Sequence, residues 1–385
     1  MSNRWKGGFI QAYFDPLTVG PLLLFGKMYG MGYNTQGQLG FSSSNKKSSP
    51  TQVGSATTWS AVATGNLHSV ALRSDGTLWA SGYNNYGQLG RSNTTTTQSF
   101  QQIGVLTTWA SVSAGLDASA AIKTDGTLWM WGYNTYGTLG QNNTIQYSSP
   151  VQVGADTDWA KVETCHYVTI ALKTDGSVYV WGNNGNGNLA TNDRVARSSP
   201  TQIGSGTTWA DVSAGPYNIG LISASGELWT GGFNGNGQAL QGDTITRSSP
   251  VQVGALTDWS KVYELGRDTM AIKTDGTLWG GGRNYYGGLG LGDVISRSSP
   301  VQVGSLNTWL SVGGGGYHRI VTKTDNTIWA WGQNNLGVNG APLGLNDTID
   351  RSSPVQIGSG TTWVATAKSG EDTLNNGFSL IIEGS

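Results

Sequence analysis

The stretch Ser69-Val70-Ala71-Leu72-Arg73-Ser74-Asp75-Gly76-Thr77-Leu78-Trp79-Ala80-Ser81-Gly82-Tyr83-Asn84 holds a strand, a turn and a returning strand. Ser69 to Arg73 alternates apolar and polar residues, Asp75-Gly76 turns the chain, and Thr77-Leu78-Trp79 brings it back. Asp-Gly suits a tight hairpin because both residues tolerate the positive φ that such turns demand. The same turn stands at Asp125-Gly126, Asp175-Gly176 and Asp275-Gly276, with Ser225-Gly226 and Asp325-Asn326 as variants.

Working outward, the hairpin is one part of a 50-residue unit. Gly32-Tyr33-Asn34 recurs at Gly82 and Gly132 and continues as Gly182-Asn183-Asn184, Gly232-Phe233-Asn234, Gly282-Arg283-Asn284 and Gly332-Gln333-Asn334, each 50 residues on. A tryptophan column follows at Trp59, Trp109, Trp159, Trp209, Trp259, Trp309 and Trp363, the last step being 54 because Gly340-Ala341-Pro342-Leu343 lengthens one loop. A third strand is expected near each column tryptophan, and Ser-Pro-Val-Gln-Val segments such as Pro150 to Val153 supply a fourth. No segment sustains a 3.6-residue apolar period, so almost no helix is expected.

The ends explain each other. Ser379-Leu380-Ile381-Ile382-Glu383-Gly384 reads as an outgoing strand with nothing after it, and Gly26-Lys27-Met28-Tyr29-Gly30-Met31-Gly32 as a returning strand with nothing before it. Tyr29 takes the place of Trp79. The expected fold is therefore all-β: a seven-bladed propeller of four-stranded blades, closed by N- and C-terminal strands that share one blade. Closure removes the edges that an open array would leave. An open solenoid, the competing architecture, normally carries atypical polar caps. The expected division is an N-terminal attachment arm at 1–21 and the propeller at 22–385. Fifteen of the sixteen tryptophans occupy repeated positions, which marks them as core between blades before any role in stacking on bases or sugars.

Composition narrows the function. Charged residues are only 12% and the net charge is −1, which lacks the basic footprint of a nucleic-acid binder. One cysteine, Cys165, excludes an internal disulfide and a cysteine-based zinc site. No apolar run approaches the ~18 residues of a membrane span, and the first residues lack the apolar stretch of a secretory signal. A soluble chain without membrane insertion is expected.

The repeat resembles the regulator of chromosome condensation family. The matching residues are Leu78-Trp79-Ala80-Ser81-Gly82-Tyr83-Asn84, Gly87-Gln88-Leu89-Gly90 and Ser149-Pro150-Val151, with Gly65-Asn66-Leu67-His68 and Gly315-Gly316-Tyr317-His318 completing the pattern. That resemblance implies a seven-bladed propeller with shared-blade closure, and it covers about residue 26 to the end. Founding members exchange nucleotide on a small nuclear GTPase and bind chromatin, using inserted loops and a basic tail that this sequence does not show. The short, uniform units and the preceding arm also look like propellers encoded by bacterial viruses.

Catalytic and metal-binding patterns are weak. His68, His166 and His318 lie on separate units, and His68 and His318 are expected to hydrogen-bond within their own blades. Lys47, Arg197, Arg247, Arg297 and Arg351 precede Ser-Ser-Pro and could form a cationic arc. Yet Asp193, Asp243, Asp293 and Asp347 stand four residues before the four arginines, so local ion pairs are the expected reading, with an anion site as the alternative. The Gly-rich runs at Gly235-Asn236-Gly237 and Gly313 to Gly316 open no helix with a following Lys-Ser or Lys-Thr. No catalytic residues, cofactor or metal are expected.

The copies differ mainly in the connection after each column tryptophan. These seven loops are expected to converge on one face, where rigid scaffolds usually carry binding residues. The expected partner-binding residues are Asp117, Glu163, His166, Tyr167, Tyr217, Asn218, Glu264, Arg267, Asp268, Tyr317, His318 and Arg319. In the arm, Trp5, Phe9, Tyr13 and Phe14 are expected to attach to another surface, the propeller itself or a neighbouring protein. The leading expectation is a non-enzymatic binding or structural module in a bacteriophage virion, as a tail, fibre or surface protein. Its partners would be proteins in an assembly, or a host-surface protein or glycan. The alternative is a soluble cytoplasmic regulator, of the exchange-factor or interaction-hub kind, and a secreted lectin-like binder is a third reading.

Overall fold

The computed structural model describes residues 25–335, 340–368 and 377–384, and these residues form twenty-eight strands and no helix. Six blades run in order along the chain at 59–102, 109–152, 159–203, 209–252, 259–302 and 309–356, here blades 1 to 6. Each is an antiparallel four-stranded meander whose first strand begins at the column tryptophan and whose fourth carries the Ser-Pro segment.

Blade 7 is built from both ends of the propeller. Its order is Trp363–Thr366, Phe378–Gly384, Gly26–Gly32, Lys47–Gln52. The middle two strands pair antiparallel from Gly26 opposite Gly384 to Gly32 opposite Phe378. Tyr29 meets Trp363 edge-on at 5.4 Å, and its hydroxyl donates to Glu383 Oε2 at 2.7 Å. One further pairing, Gly26 with Trp59, joins blade 7 to blade 1. The ring is closed as expected.

First strands face the channel and fourth strands the solvent. The column tryptophans fill the spaces between blades: Trp109 packs with Val70, Leu72, Leu78 and Ile103 of blade 1, and Trp59 with Met28, Leu380 and Ile382 of blade 7. Each also meets the third-strand aromatic of its own blade edge-on, as Trp109 meets Trp129 at 6.1 Å. In five of the blades a cation covers that pair: Lys123 Nζ lies 3.6 Å from the Trp129 centroid, and Arg73 3.8 Å from Trp79. The long stems of these cations shield apolar faces from water.

The hairpin differs from the expected two-residue turn. Gly76 N donates to Arg73 O and Arg73 N to Thr77 O, so Ser74-Asp75-Gly76 forms the loop and, of Asp75 and Gly76, only the glycine has positive φ. Asp75 instead acts through its carboxylate, accepting from Thr77 N and Thr77 Oγ1, while Trp79 Nε1 donates to that same threonine oxygen. These bonds hold the Asp75 carboxyl below its ordinary range. Asn326 supplies the positive φ where glycine is missing.

Candidate functional site: the loop face and the channel beneath it

Each variable connection joins a first strand to a second, and the Gly-Tyr-Asn segment ends beside its tip. Tyr133 N donates to Asp117 O, Asn183 N to Tyr167 O, Phe233 N to Tyr217 O and Gln333 N to Tyr317 O. The loop after Gly-Tyr-Asn reaches the next blade, where Gln88 Nε2 donates to Asp117 Oδ1 at 3.0 Å. Three segments therefore meet at each blade junction on one face.

That face carries a belt of rings. Centroid distances are 6.1 Å for Tyr83–Tyr86, 5.0 Å for Tyr86–Tyr133, 5.5 Å for Tyr133–Tyr167, 4.1 Å for His166–Tyr167 and 5.8 Å for His166–Tyr217. Arg267 lies over Tyr217 at 5.2 Å. Further round, Arg283 lies 4.0 Å over Tyr317, with Tyr286 edge-on at 5.4 Å, beside a small cleft floored by Gly288 and Gly316. Burial pushes the Asp117 carboxyl up to about 6, against the hydrogen bond from Gln88. His166 adopts φ 50, a left-handed conformation uncommon outside glycine.

The twelve expected contact residues divide by burial. Asp117, His166, Tyr167, Tyr217, Arg267 and Tyr317 are half-buried on the face. The other six, Glu163, Asn218, Glu264, Asp268, His318 and Arg319, are buried, which corrects the expectation that all twelve line the surface. Arg319 pairs with Asp268 between blades 6 and 5 and donates to Gly315 O and His318 O. Asn218 and Thr269 donate to Glu264.

The histidine expectation is also corrected. His68 Nε2 meets Ser119 Oγ of blade 2 at 2.9 Å, and His318 Nε2 meets Ser379 Oγ of blade 7 at 3.0 Å, so both bonds cross between blades. Ser119 donates to Gln88 O, which leaves it the acceptor from His68. Burial holds both imidazoles down to about 3, so they are neutral.

Beneath the loops lies a charge network that the sequence did not reveal. Lys368 of blade 7 donates to Glu163 Oε2 at 2.6 Å, Ser213 Oγ at 2.6 Å and Ala214 O at 2.9 Å. These acceptors belong to blades 3 and 4, on the far side of the ring, so the lysine spans the channel. Lys161 adds contacts to Glu163 at 3.0 Å and Asp211 at 2.7 Å. Burial alone would raise Glu163, but the two lysines bring it down to about 2. Among the described residues Glu264 makes no ion pair, and burial pushes it up to about 8 despite the bonds from Thr269 and Asn218 and the charge of Lys368 at longer range.

This sets a pH prediction. A folded value near 8 above an ordinary 4.5 means that Glu264 keeps its proton when folded. The stability this supplies is fully present below 4.5 and is lost as pH rises through 8. Glu264→Gln, which is neutral throughout, should gain on the wild type across that window by up to ~1.4 kcal/mol per pH unit. Denaturant unfolding of both proteins at pH 5 and pH 8 checks it; a constant difference would refute the assignment.

The Arg–Asp expectation stands as local pairing. Arg197–Asp193, Arg247–Asp243, Arg297–Asp293 and Arg351–Asp347 are 2.5–2.7 Å apart. The same aspartates accept from Asn184, Asn234, Asn284 and Asn334 of Gly-Tyr-Asn or its variants. This connection also carries Ile145, Val195, Ile245, Ile295 and Ile349, all 60–64% exposed at one repeat position. Asn184 donates to Val195 O, which ties the connection to the blade end that bears the loop face. The aliphatic rim was visible in the sequence as an isoleucine or valine at one position in five of the seven units, where the other two have Asn45 and Thr95. Among the described residues, no three His, Cys, Asp or Glu side chains are placed to hold a metal ion. Trp5, Phe9, Tyr13 and Phe14 lie outside the described residues.

A closed ring with a rigid frame and unequal loops defines a propeller scaffold. The RCC1-like domain matches residues 22–266, and a regulator of chromosome condensation (RCC1) repeat matches 275–321. The chain belongs to the RCC1-like family. Human WBSCR16 shares the fold with a TM-score of 0.80 at 18% identity, over 94% of this chain and 99% of that one. Prp20p of Saccharomyces cerevisiae, described with its binding to Gsp1p and histones, gives 0.81 at 17% identity over 95% and 93%. The same yeast RCC1 bound to Kap60 gives 0.80 at 17% over 99% and 97%. No protein of curated function matches the sequence.

Proposed function

We propose that this chain is a non-enzymatic binding scaffold whose loop face engages a protein partner in a larger assembly. The observation that carries the reading is the concentric arrangement of that face: a belt of tyrosines with histidine and arginine inside, and an exposed aliphatic rim outside. Aromatic and arginine residues are favoured at protein interfaces, and exposed aliphatics gain from being covered. The buried residues of the loops hold the belt rigid, which lowers the entropy lost on binding.

The setting we favour is a virus particle, with 1–21 as the attachment arm and a protein or glycan of the host surface as a further partner. Low charge and short uniform blades support it. A soluble cytoplasmic regulator is the second reading, favoured by the fold shared with Prp20p, a protein described with binding to Gsp1p. Two measurements separate them. Purified particles should contain the chain at fixed stoichiometry, and nucleotide release from small GTPases should not accelerate in its presence. Acceleration would replace the first reading with the second. Within the first, replacing Tyr167, Tyr217, Arg267 and Tyr317 together by alanine should lower incorporation or host binding at least tenfold while the β-sheet circular dichroism is kept.

A further inference from the structure

Four equivalent repeat positions recur on the loop face three blades apart, the first of each set turned toward the preceding blade, as Arg267 lies over Tyr217 and Asp117 accepts from Gln88. At blades 5 and 6 they hold Arg267, Arg283, Tyr286 and Tyr317; at blades 2 and 3 they hold Asp117, Tyr133, Tyr136 and Tyr167. In the first set the chain supplies its own cation, since Arg283 stacks on Tyr317 at 4.0 Å. In the second, Tyr133 and Tyr136 flank Tyr167 at 5.5 and 4.8 Å, and Tyr86 closes on Tyr133 at 5.0 Å. Among the described residues, no lysine or arginine of this chain stacks on these four rings.

We infer that the tyrosine cluster of blades 2 and 3, with Asp117 beside it, is a binding site for an arginine side chain of a protein partner. The inference rests on the loop face being the binding surface and specifies what one part of it takes. Aromatic faces attract cations through their quadrupole, most strongly where water is excluded, and arginine stacks flat on such rings. Asp117 adds a carboxylate that is largely desolvated and, among the described residues, accepts one hydrogen bond, that from Gln88. Its nearness shows in the phenols, because Tyr86 and Tyr167 are both raised in part by its charge, Tyr167 to about 12 after burial. Tyr136 is 39% exposed, so the cluster opens to solvent. With the half-buried Arg267 three blades on from Asp117, the face carries a cation acceptor on one side and a guanidinium on the other, which fixes the orientation of a partner with complementary charge.

The test labels the full chain with 3-fluorotyrosine and titrates it with acetyl-arginine amide, using acetyl-citrulline amide as the neutral isostere. Saturable fluorine shifts with arginine and none with citrulline are expected. Tyr167→Ala should weaken binding about tenfold, Asp117→Asn several-fold, and Tyr317→Ala not at all. Tyr136→Ala, at an exposed position, gives the same readout if Tyr167→Ala fails to fold. Equal binding of citrulline, or binding unchanged by Tyr136→Ala and Asp117→Asn, overturns the inference. If arginine does not bind but the four-residue alanine variant still loses its partner, the face stands and the arginine site falls.

Discussion

Trp331→Gly should cost about 3–5 kcal/mol, as buried tryptophan truncations do, and Gly290→Leu should recover part of that loss instead of adding to it. Trp331 is fully buried in blade 6, and its indole nitrogen donates to Gly288 O at 2.9 Å. A Cβ on Gly290 of blade 5 would stand 2.9 Å from that nitrogen, so glycine is what admits the ring. Trp131 faces Gly90 and Trp181 faces Gly140 in the same way. Where the strand residue is Gly231 or Gly281, the facing position is Ala190 or Leu240, and a Cβ would meet their side chains at 2.7 and 2.3 Å. Ala190 and Leu240 keep the left-handed φ of the glycines they replace, so leucine is compatible with the backbone at 290. Gly290→Leu alone overfills the junction and should destabilise by about 1–3 kcal/mol. The double variant should be no less stable than Trp331→Gly. Denaturant unfolding of all four proteins measures the coupling, and simple additivity of the two losses would sink the account.

Arg319→Ala should be of similar size, about 3–5 kcal/mol, because it strands the Asp268 charge in the interior. The guanidinium is fully buried and Asp268 nearly so, and the pair links blades 5 and 6 just under the loop face. A buried ion pair is seldom a net gain over apolar packing, but removing one member leaves a desolvated charge. Arg319→Met with Asp268→Leu should therefore recover most of the lost stability. If the single variant unfolds at the wild-type denaturant concentration, the pair is not what holds this junction.

How much of this could be read in advance differs by residue. His68 and His318 stood out as a repeated position, but their partners, Ser119 and Ser379, are 51 and 61 residues away. The variable loops were found by their variation, yet variation does not distinguish an exposed tyrosine from a buried glutamate. Glu163, Glu264 and Asp268 looked like surface charge in a charge-poor chain and proved to be interior. Lys368 stood in the seventh variable connection, but its acceptors could not be read, because they are opposed only once the ring closes.

The sequence by itself determined the repeat, the strand order within a blade, the number of blades and the closure by both termini. Each depends on local physics: apolar alternation, a turn that needs a left-handed residue, and an unpaired strand at either end whose edge must be covered. The tertiary structure alone decided which blade faces which, and so which tryptophan needs a glycine opposite, which charges are desolvated and which tyrosines share a junction. Those properties belong to pairs of residues about 40 to 200 positions apart, and no local pattern encodes them.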